Sequence, residues 1–277
     1  MNIIAILTAL LVVAGVGLVL GILLALFTHF FGIEDDPKVK AVRGALPGAN
    51  CGACGFKGCD DYAKAVAEGR AAPNLCIPGG ADTVKAIGEV IGVEAEAAAP
   101  RVAFVHCNGT CEATSPKAIN DGMQNCVAEN MLFGGCGSCI YGCVGCGDCV
   151  SVCPADAICL KDGIAHVDPR ACIGCGACTK ICPKHVITML PKDAVVANFC
   201  SNKEKGADAR KHCANACIGC KKCEKTCPEG AITVVDSCAV IDYTKCTGCG
   251  LCTEGCPTGC LKKTHFPDLP EGYRFKA

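Results

Sequence analysis

Tryptophan is absent from this 277-residue chain, and aromatic side chains make up only 5% of it. Aromatics bring the largest buried areas to a core, so a single large aromatic-rich core is excluded and several small units are expected instead. Charge of either sign is short as well. Lys and Arg number 26 against 27 Asp and Glu, a net of −1. That balance gives no electrostatic basis for nucleic-acid binding, and no nucleic acid is expected as a partner. From Ile3 to Phe31 there is no Asp, Glu, Lys or Arg. No flavin, nicotinamide or phosphate motif is found. Gly15-Val16-Gly17 superficially resembles a dinucleotide loop, but it sits inside the apolar stretch with no strand before it. No catalytic residue is expected, and the chain alone should not complete a redox reaction, because the bond-making chemistry of such enzymes belongs to those cofactors.

Cysteine, at 30 residues, is what the chain has in excess. Four windows share one spacing: Cys143, Cys146, Cys149, Cys153-Pro154; Cys172, Cys175, Cys178, Cys182-Pro183; Cys217, Cys220, Cys223, Cys227-Pro228; and Cys246, Cys249, Cys252, Cys256-Pro257. This CxxCxxCxxxCP run holds [4Fe–4S] clusters in two-cluster bacterial ferredoxins. Zinc sites instead join two CxxC pairs across a spacer. A secreted disulfide scaffold would call for a signal peptide and no metal spacing. Glycine, at 33 residues, suits backbone that must approach inorganic sulfide closely.

The apolar stretch 3–31 exceeds the ~20 residues a helix needs to cross a bilayer. It is too long for the apolar region of a signal peptide and has no basic residue before it, so it reads as an uncleaved anchor in contact with lipid. Lys38, Lys40 and Arg43 follow it, which places the bulk of the chain in the cytoplasm by the positive-inside rule. The expected location is therefore the cell membrane, single-pass, with the iron–sulfur domains on the cytoplasmic side. After the anchor, Leu46-Pro-Gly-Ala-Asn-Cys51-Gly-Ala-Cys54-Gly-Phe-Lys-Gly-Cys59 and Cys76-Ile-Pro-Gly-Gly80 supply four thiols, Cys51, Cys54, Cys59 and Cys76, for one cluster. Glu94 to Pro100 is low in complexity and reads as linker.

The carboxyl-terminal part is duplicated. Sliding Cys143 onto Cys217 also lays Cys126, Cys139, Cys146, Cys149, Cys153, Cys172, Cys175, Cys178 and Cys182 onto Cys200, Cys213, Cys220, Cys223, Cys227, Cys246, Cys249, Cys252 and Cys256. In a two-cluster unit, the last cysteine of each run serves the other run's cluster. The expected sets are Cys143, Cys146, Cys149 with Cys182; Cys172, Cys175, Cys178 with Cys153; Cys217, Cys220, Cys223 with Cys256; and Cys246, Cys249, Cys252 with Cys227. A further set is read from Cys107, Cys111, Cys126 and Cys139, with Cys136 as the alternative to Cys139. This makes at least six [4Fe–4S] clusters. Cys200 and Cys213 are left as structural thiols or members of another cluster, and Cys136, Cys159, Cys238 and Cys260 as small buried hydrophobes. His106, His166, His185 and His212 read as packing or surface residues, because thiols suffice. Seven basic residues lie between Lys203 and Lys225, surrounding a cluster run. They are read either as a solvated face or as a docking face for an acidic redox carrier.

The expected fold is α+β: a single amino-terminal transmembrane helix, a small α-rich [4Fe–4S] module, then two tandem two-cluster ferredoxin-like units. The boundaries are 1–31 for the anchor, 32–93 for the module, 94–134 for linker and CxGxC segment, 135–192 and 193–262 for the two units, and 263–277 for a tail.

The order of anchor, LPGANCGACGFKGC…CIPGG module, CxGxC and paired ferredoxin units resembles the B subunit of the Rnf complex, a membrane ferredoxin:NAD oxidoreductase that couples electron flow to Na+ or H+ translocation. The doubled unit is similar to the long form of anaerobic bacteria. It departs at Cys146, where longer members often carry an apolar residue. The resemblance implies that electrons from reduced ferredoxin arrive at the carboxyl-terminal units and pass through the Cys51–Cys76 cluster to membrane and peripheral partner subunits, toward NAD. Two other readings compete: an iron–sulfur subunit of another membrane oxidoreductase, of hydrogenase or formate dehydrogenase type, and a zinc-binding interaction protein.

Overall fold

A computed structural model describes residues 3–31 and 36–264; the tail beyond, and the acidic residues 34–35, lie outside the described residues. Helix α1 (Ile3–Phe31) carries an 18-residue window, Leu10–Phe27, that is long and apolar enough to cross a membrane. Its side chains there are exposed, which for Leu, Val and Ile suits lipid rather than water.

Three short helices form the next unit. In α2 (Pro37–Ala45), Asp36 caps the first turn by accepting from the Lys38 N–H at 2.9 Å, and Pro37 occupies a first-turn position where its missing N–H costs nothing. Helix α3 (Cys59–Ala67) starts at a thiol. Helix α4 (Gly80–Ile91) ends at Gly92, whose φ of 74° is the usual left-handed stop. Apolar residues recur at helical spacing: Val39, Val42 and Leu46; Tyr62, Ala63 and Val66; Val84, Ile87 and Ile91. These faces close on a small core that includes Cys59 and Cys76. Each fully buried Val, Leu or Ile contributes about 1.5–3 kcal/mol, so the organic core alone is small.

The remainder repeats one plan. Strand β1 (Arg101–Val105) pairs antiparallel with β4 (Ile187–Pro191), Arg101 opposite Pro191 and Val105 opposite Ile187. Between them lie α5 (Cys126–Met131), α6 (Asp148–Ser151), the hairpin β2 (Ile158–Lys161)–β3 (Ile164–Val167), and α7 (Ala177–Ile181). The second round has β5 (Val196–Asn198) paired with β8 (Leu261–Lys263). They enclose α8 (Gly206–His212), α9 (Lys222–Thr226), the hairpin β6 (Ile232–Val235)–β7 (Cys238–Ile241), and α10 (Leu251–Glu254). Both hairpins turn on two residues at positive φ, Asp162-Gly163 and Asp236-Ser237, the geometry that matches strand twist. The two cores are separate, one around Ile158, Ile164 and Ile187, the other around Val196, Ile232 and Leu261, and cysteines make up a large share of both. The stretch 94–134, which reads from sequence as linker and CxGxC segment, contains β1. Its apolar run, Val102 to Val105, is only four residues long, and only pairing with a strand more than eighty residues on makes it a strand.

Candidate iron–sulfur sites

The amino-terminal module delivers its thiols from a glycine-rich loop and from the segment after α3. Asn50, at φ 46°, turns its side-chain oxygen to accept from the Cys59 N–H at 2.8 Å, which fixes the loop around the start of α3. The buried Tyr62 hydroxyl donates to the Ala72 carbonyl (2.8 Å) and accepts from the Leu75 N–H (3.2 Å), pinning the chain that carries Cys76. Burial raises the Cys76 thiol pKa, and the neighbouring Cys59, Cys51 and Cys54 add to the rise.

In the first ferredoxin-like stretch, Cys153, Cys172, Cys175 and Cys178 line one space of about 300 Å³. In the second, Cys217, Cys220, Cys223 and Cys256 line another of about 320 Å³, and Cys252 lies beside Cys246, Cys227 and Cys249. In both places the last cysteine of a run sits with the other run. Backbone N–H groups point at these sulfurs: Ala157 to Cys153 (3.3 Å), Ala231 to Cys227 (3.4 Å) and Ala103 to Cys172 (3.5 Å). Such donors suit thiolate bound to iron and tune its potential. Burial pushes Cys149 and Cys178 up to about 12. These thiols therefore hold their protons at neutral pH until a metal displaces them.

The set read as Cys107, Cys111, Cys126 and Cys139 is not formed. Cys111 is exposed, with its N–H on the Asp162 carbonyl (3.1 Å) at the β2–β3 turn. Cys126 starts α5, donates its N–H to Asp148 Oδ2 (3.0 Å), and faces Cys143, Cys146 and Cys149. The first run therefore has five thiols near it, counting Cys182. Cys136 donates to Glu129 at 2.9 Å. Cys107 and Cys139 instead meet Cys200 and Cys213 around a space of about 450 Å³ between the two repeats. The physical reason is an insertion. The equivalent of Cys200 in the first repeat is Cys107, since each follows a pairing strand by two residues, β1 or β5. The segment carrying Cys111 and Cys126 is extra, so sliding run onto run lays Cys126 on Cys200. Cys200 and Cys213 are legible as ligands from a different signal: a strand, then Cys107 or Cys200, then Cys139 or Cys213 four residues ahead of a run.

Neighbouring sets lie close together. Cys51 is near enough to Cys175 to add to the rise that burial gives the Cys175 thiol, Cys149 lies near Cys178, and the N–H groups of Cys143 and Cys217 bond Cys107 and Cys200 at 3.3 and 3.2 Å. Among the described residues, no three thiols, imidazoles or carboxylates are drawn tightly enough around one point to hold a single metal ion; the sets stand around open spaces instead. Multiple thiols, convergent N–H donors and room between them fit [4Fe–4S] clusters.

Comparison with known proteins agrees. Residues 46–78 match an Fe-S cluster family, and 4Fe-4S dicluster domain families match residues 171–231 and, in two copies, 142–186 and 216–260. The chain is 44% identical to the B subunit of the Na(+)-translocating ferredoxin:NAD(+) oxidoreductase complex of Acetobacterium woodii, over 86% of this chain and 73% of the relative. The chain belongs to the family of B subunits of the ion-translocating oxidoreductase, or Rnf, complexes. It is also 40% identical to the B subunit of the proton-translocating complex of Clostridium ljungdahlii, over 72% of this chain and 71% of the relative. To the B subunit of the ion-translocating complex of Methanosarcina acetivorans it is 38% identical, over 73% and 77%.

Proposed function

We propose that this chain is the electron-relaying subunit of a membrane-bound, ion-translocating ferredoxin:NAD oxidoreductase, taking electrons from reduced ferredoxin and passing them to partner subunits of its complex. A bound [4Fe–4S] cluster supplies one-electron chemistry. The chain's own residues hold the clusters, shield them and set their potentials with N–H donors. The observation that carries this reading is the unbroken succession of thiol sets from the exposed Cys220 and Cys249 to Cys51. Six sets are proposed: Cys51, Cys54, Cys59, Cys76; Cys172, Cys175, Cys178, Cys153; Cys143, Cys149, Cys182 with Cys146 or Cys126; Cys217, Cys220, Cys223, Cys256; Cys246, Cys249, Cys252, Cys227; and the four thiols between the repeats. The unit boundaries proposed are 1–31, 32–93, 101–192 and 193–263, with the first unit extended to include β1. The anchor is single-pass, with the clusters on the cytoplasmic side.

Anaerobically purified protein is expected to carry iron and sulfide for six clusters. Iron for four or fewer, with cluster loss excluded, would overturn the count. Removing residues 1–31 is expected to give a soluble, still brown fragment, checked by fractionation and the visible spectrum. A colourless fragment would mean that the segment does more than anchor. Cys146→Ser is expected to keep its cluster, because Cys126 stands beside Cys143 and Cys149 as well. Only the Cys126→Ser/Cys146→Ser pair should lose one cluster's iron. Loss in the single Cys146→Ser variant would give Cys146 the ligand role outright.

A further inference from the structure

We propose that Cys107, Cys139, Cys200 and Cys213 hold a [4Fe–4S] cluster shared between the two ferredoxin-like units, and that electrons cross from one unit to the other at this site. The proposal deepens the relay reading above and rests on it for direction only. Cys107 and Cys139 lie outside every stretch that matches an iron–sulfur family, and all four lie outside the two copies at 142–186 and 216–260.

The geometry is that of a built site. The four thiols line one space, and an added Cβ on Gly109 would come within 3.5 Å of Cys107 Sγ and 3.7 Å of Cys213 Sγ. On Gly142 a Cβ would come within 3.5 Å of Cys107 Sγ and 3.7 Å of Cys139 Sγ. The donors come in matched pairs. Cys107 accepts from the N–H groups of Gly109 (3.5 Å) and Cys143 (3.3 Å); Cys200 accepts from those of Asn202 (3.4 Å) and Cys217 (3.2 Å). Cys139 and Cys213 each accept from the N–H two residues on, Tyr141 and Asn215. The Asn202 side chain, 1% exposed, adds a donor to Cys139 Sγ at 3.6 Å. The same amide also donates to Glu204 Oε2 at 3.3 Å, so it is held in place beside Cys139, and its bond to that sulfur would strengthen once the sulfur is an iron-bound thiolate.

The walls of the site are the contacts that join the repeats. His106 bonds the Asn198 carbonyl (2.6 Å), Asn215 bonds the Asn108 carbonyl (2.8 Å), Thr114 the His212 carbonyl (2.8 Å), and Ser201 the Tyr141 carbonyl (2.9 Å). The same four thiols thus sit between Cys143, at the near run of the first unit, and Cys217, at the near run of the second. No bond is made or broken in the crossing. With clusters bound, the four thiols would hold the carrier that takes one electron from the second unit's set and gives it to the first unit's, the one oxidised as the other is reduced.

The test uses the full complex with Cys213→Ser, and separately Cys200→Ser. Each is expected to lose one cluster's iron and one set of electron paramagnetic resonance signals. Dithionite should still reduce every remaining cluster, whereas ferredoxin should reduce the second unit's clusters and leave those of the first unit and the Cys51 module oxidised. Cys111→Ser should change neither iron nor transfer. Asn202→Leu keeps all four thiols and is expected to lower the potential of one cluster alone, which guards against misfolding as the explanation. Unchanged iron in Cys213→Ser, loss of a cluster in Cys111→Ser, or one equivalent of zinc in place of iron would overturn the proposal. If iron falls as expected but ferredoxin reduces no cluster even in the unaltered complex, the site stands and the direction of electron flow falls.

Discussion

Cys76→Ser is expected to abolish electron transfer to the partner subunits while leaving the other clusters loaded and reducible. The thiol is buried, inside the small core that Val42, Tyr62, Val66 and Ile87 make with Cys59. That core has few apolar side chains, so the metal supplies much of the folding energy and loss of a ligand costs order as well as iron. Loss of even an outer-shell partner costs about 10–100-fold in metal affinity or activity, so loss of a direct ligand should exceed about 100-fold. The module lies at the end of the succession, next to Cys175 on one side and to the membrane helix on the other in sequence. Among the described residues no second thiol stands by to replace Cys76, in contrast to Cys126 beside Cys146. The measurement is ferredoxin-dependent NAD reduction by membranes, paired with the iron content of the purified chain. Activity within a few-fold of the unaltered protein would place the membrane-proximal transfer elsewhere.

The contrast between those two positions also marks what can be read from sequence. Spacing settles a ligand where the chain between ligands is too short to do anything else. Cys51, Cys54 and Cys59 sit in one tight loop, and the CxxCxxC runs each wrap a single turn before a short helix, so their convergence is legible. The exchange of Cys153 and Cys182, and of Cys227 and Cys256, follows from the pseudo-symmetry of a two-run unit. The thiols between the repeats are not legible in the same way, because their convergence depends on how two folded units meet. That meeting is made by bonds such as Asn215 to the Asn108 carbonyl and Ala214 to the Ala113 carbonyl, across a hundred residues. The insertion carrying Cys111 and Cys126 then disguises the repeat, and four cysteines close in sequence pass for one set. Strand β1 escapes notice for a related reason: five residues form a strand only against β4. The module's helices, by contrast, carry their own caps and apolar faces, and the apolar run of α1 needs nothing but its composition.

Reversing Lys221, Lys222 and Lys225 to Glu is expected to slow reduction by ferredoxin on the order of 10-fold at low salt, within the range that charge steering spans. The three are exposed and take part in no ion pair among the described residues, whereas Lys211 is held by Asp208 at 2.9 Å. They surround the exposed Cys220, so an acidic carrier seated on them would come close to that thiol's cluster. The backbone singles out the same residue. The residue after the second cysteine of each other run is a glycine at positive φ: Gly147 at 86°, Gly176 at 70° and Gly250 at 80°. The fourth is Lys221, at φ 58°. A side chain in that region costs roughly 1 kcal/mol, and strain of this kind collects at functional sites. Lys221→Gly should therefore raise stability slightly and still slow reduction, a pairing that a purely structural role for Lys221 would not give. The deficit of the triple reversal should shrink as salt rises, because exposed charges are screened over ~8 Å at physiological ionic strength. Cluster content should be unchanged, since none of the three is a ligand. Stopped-flow reduction at two ionic strengths decides it: an unaltered low-salt rate with clusters intact would remove this face from the mechanism and move ferredoxin docking to the first unit.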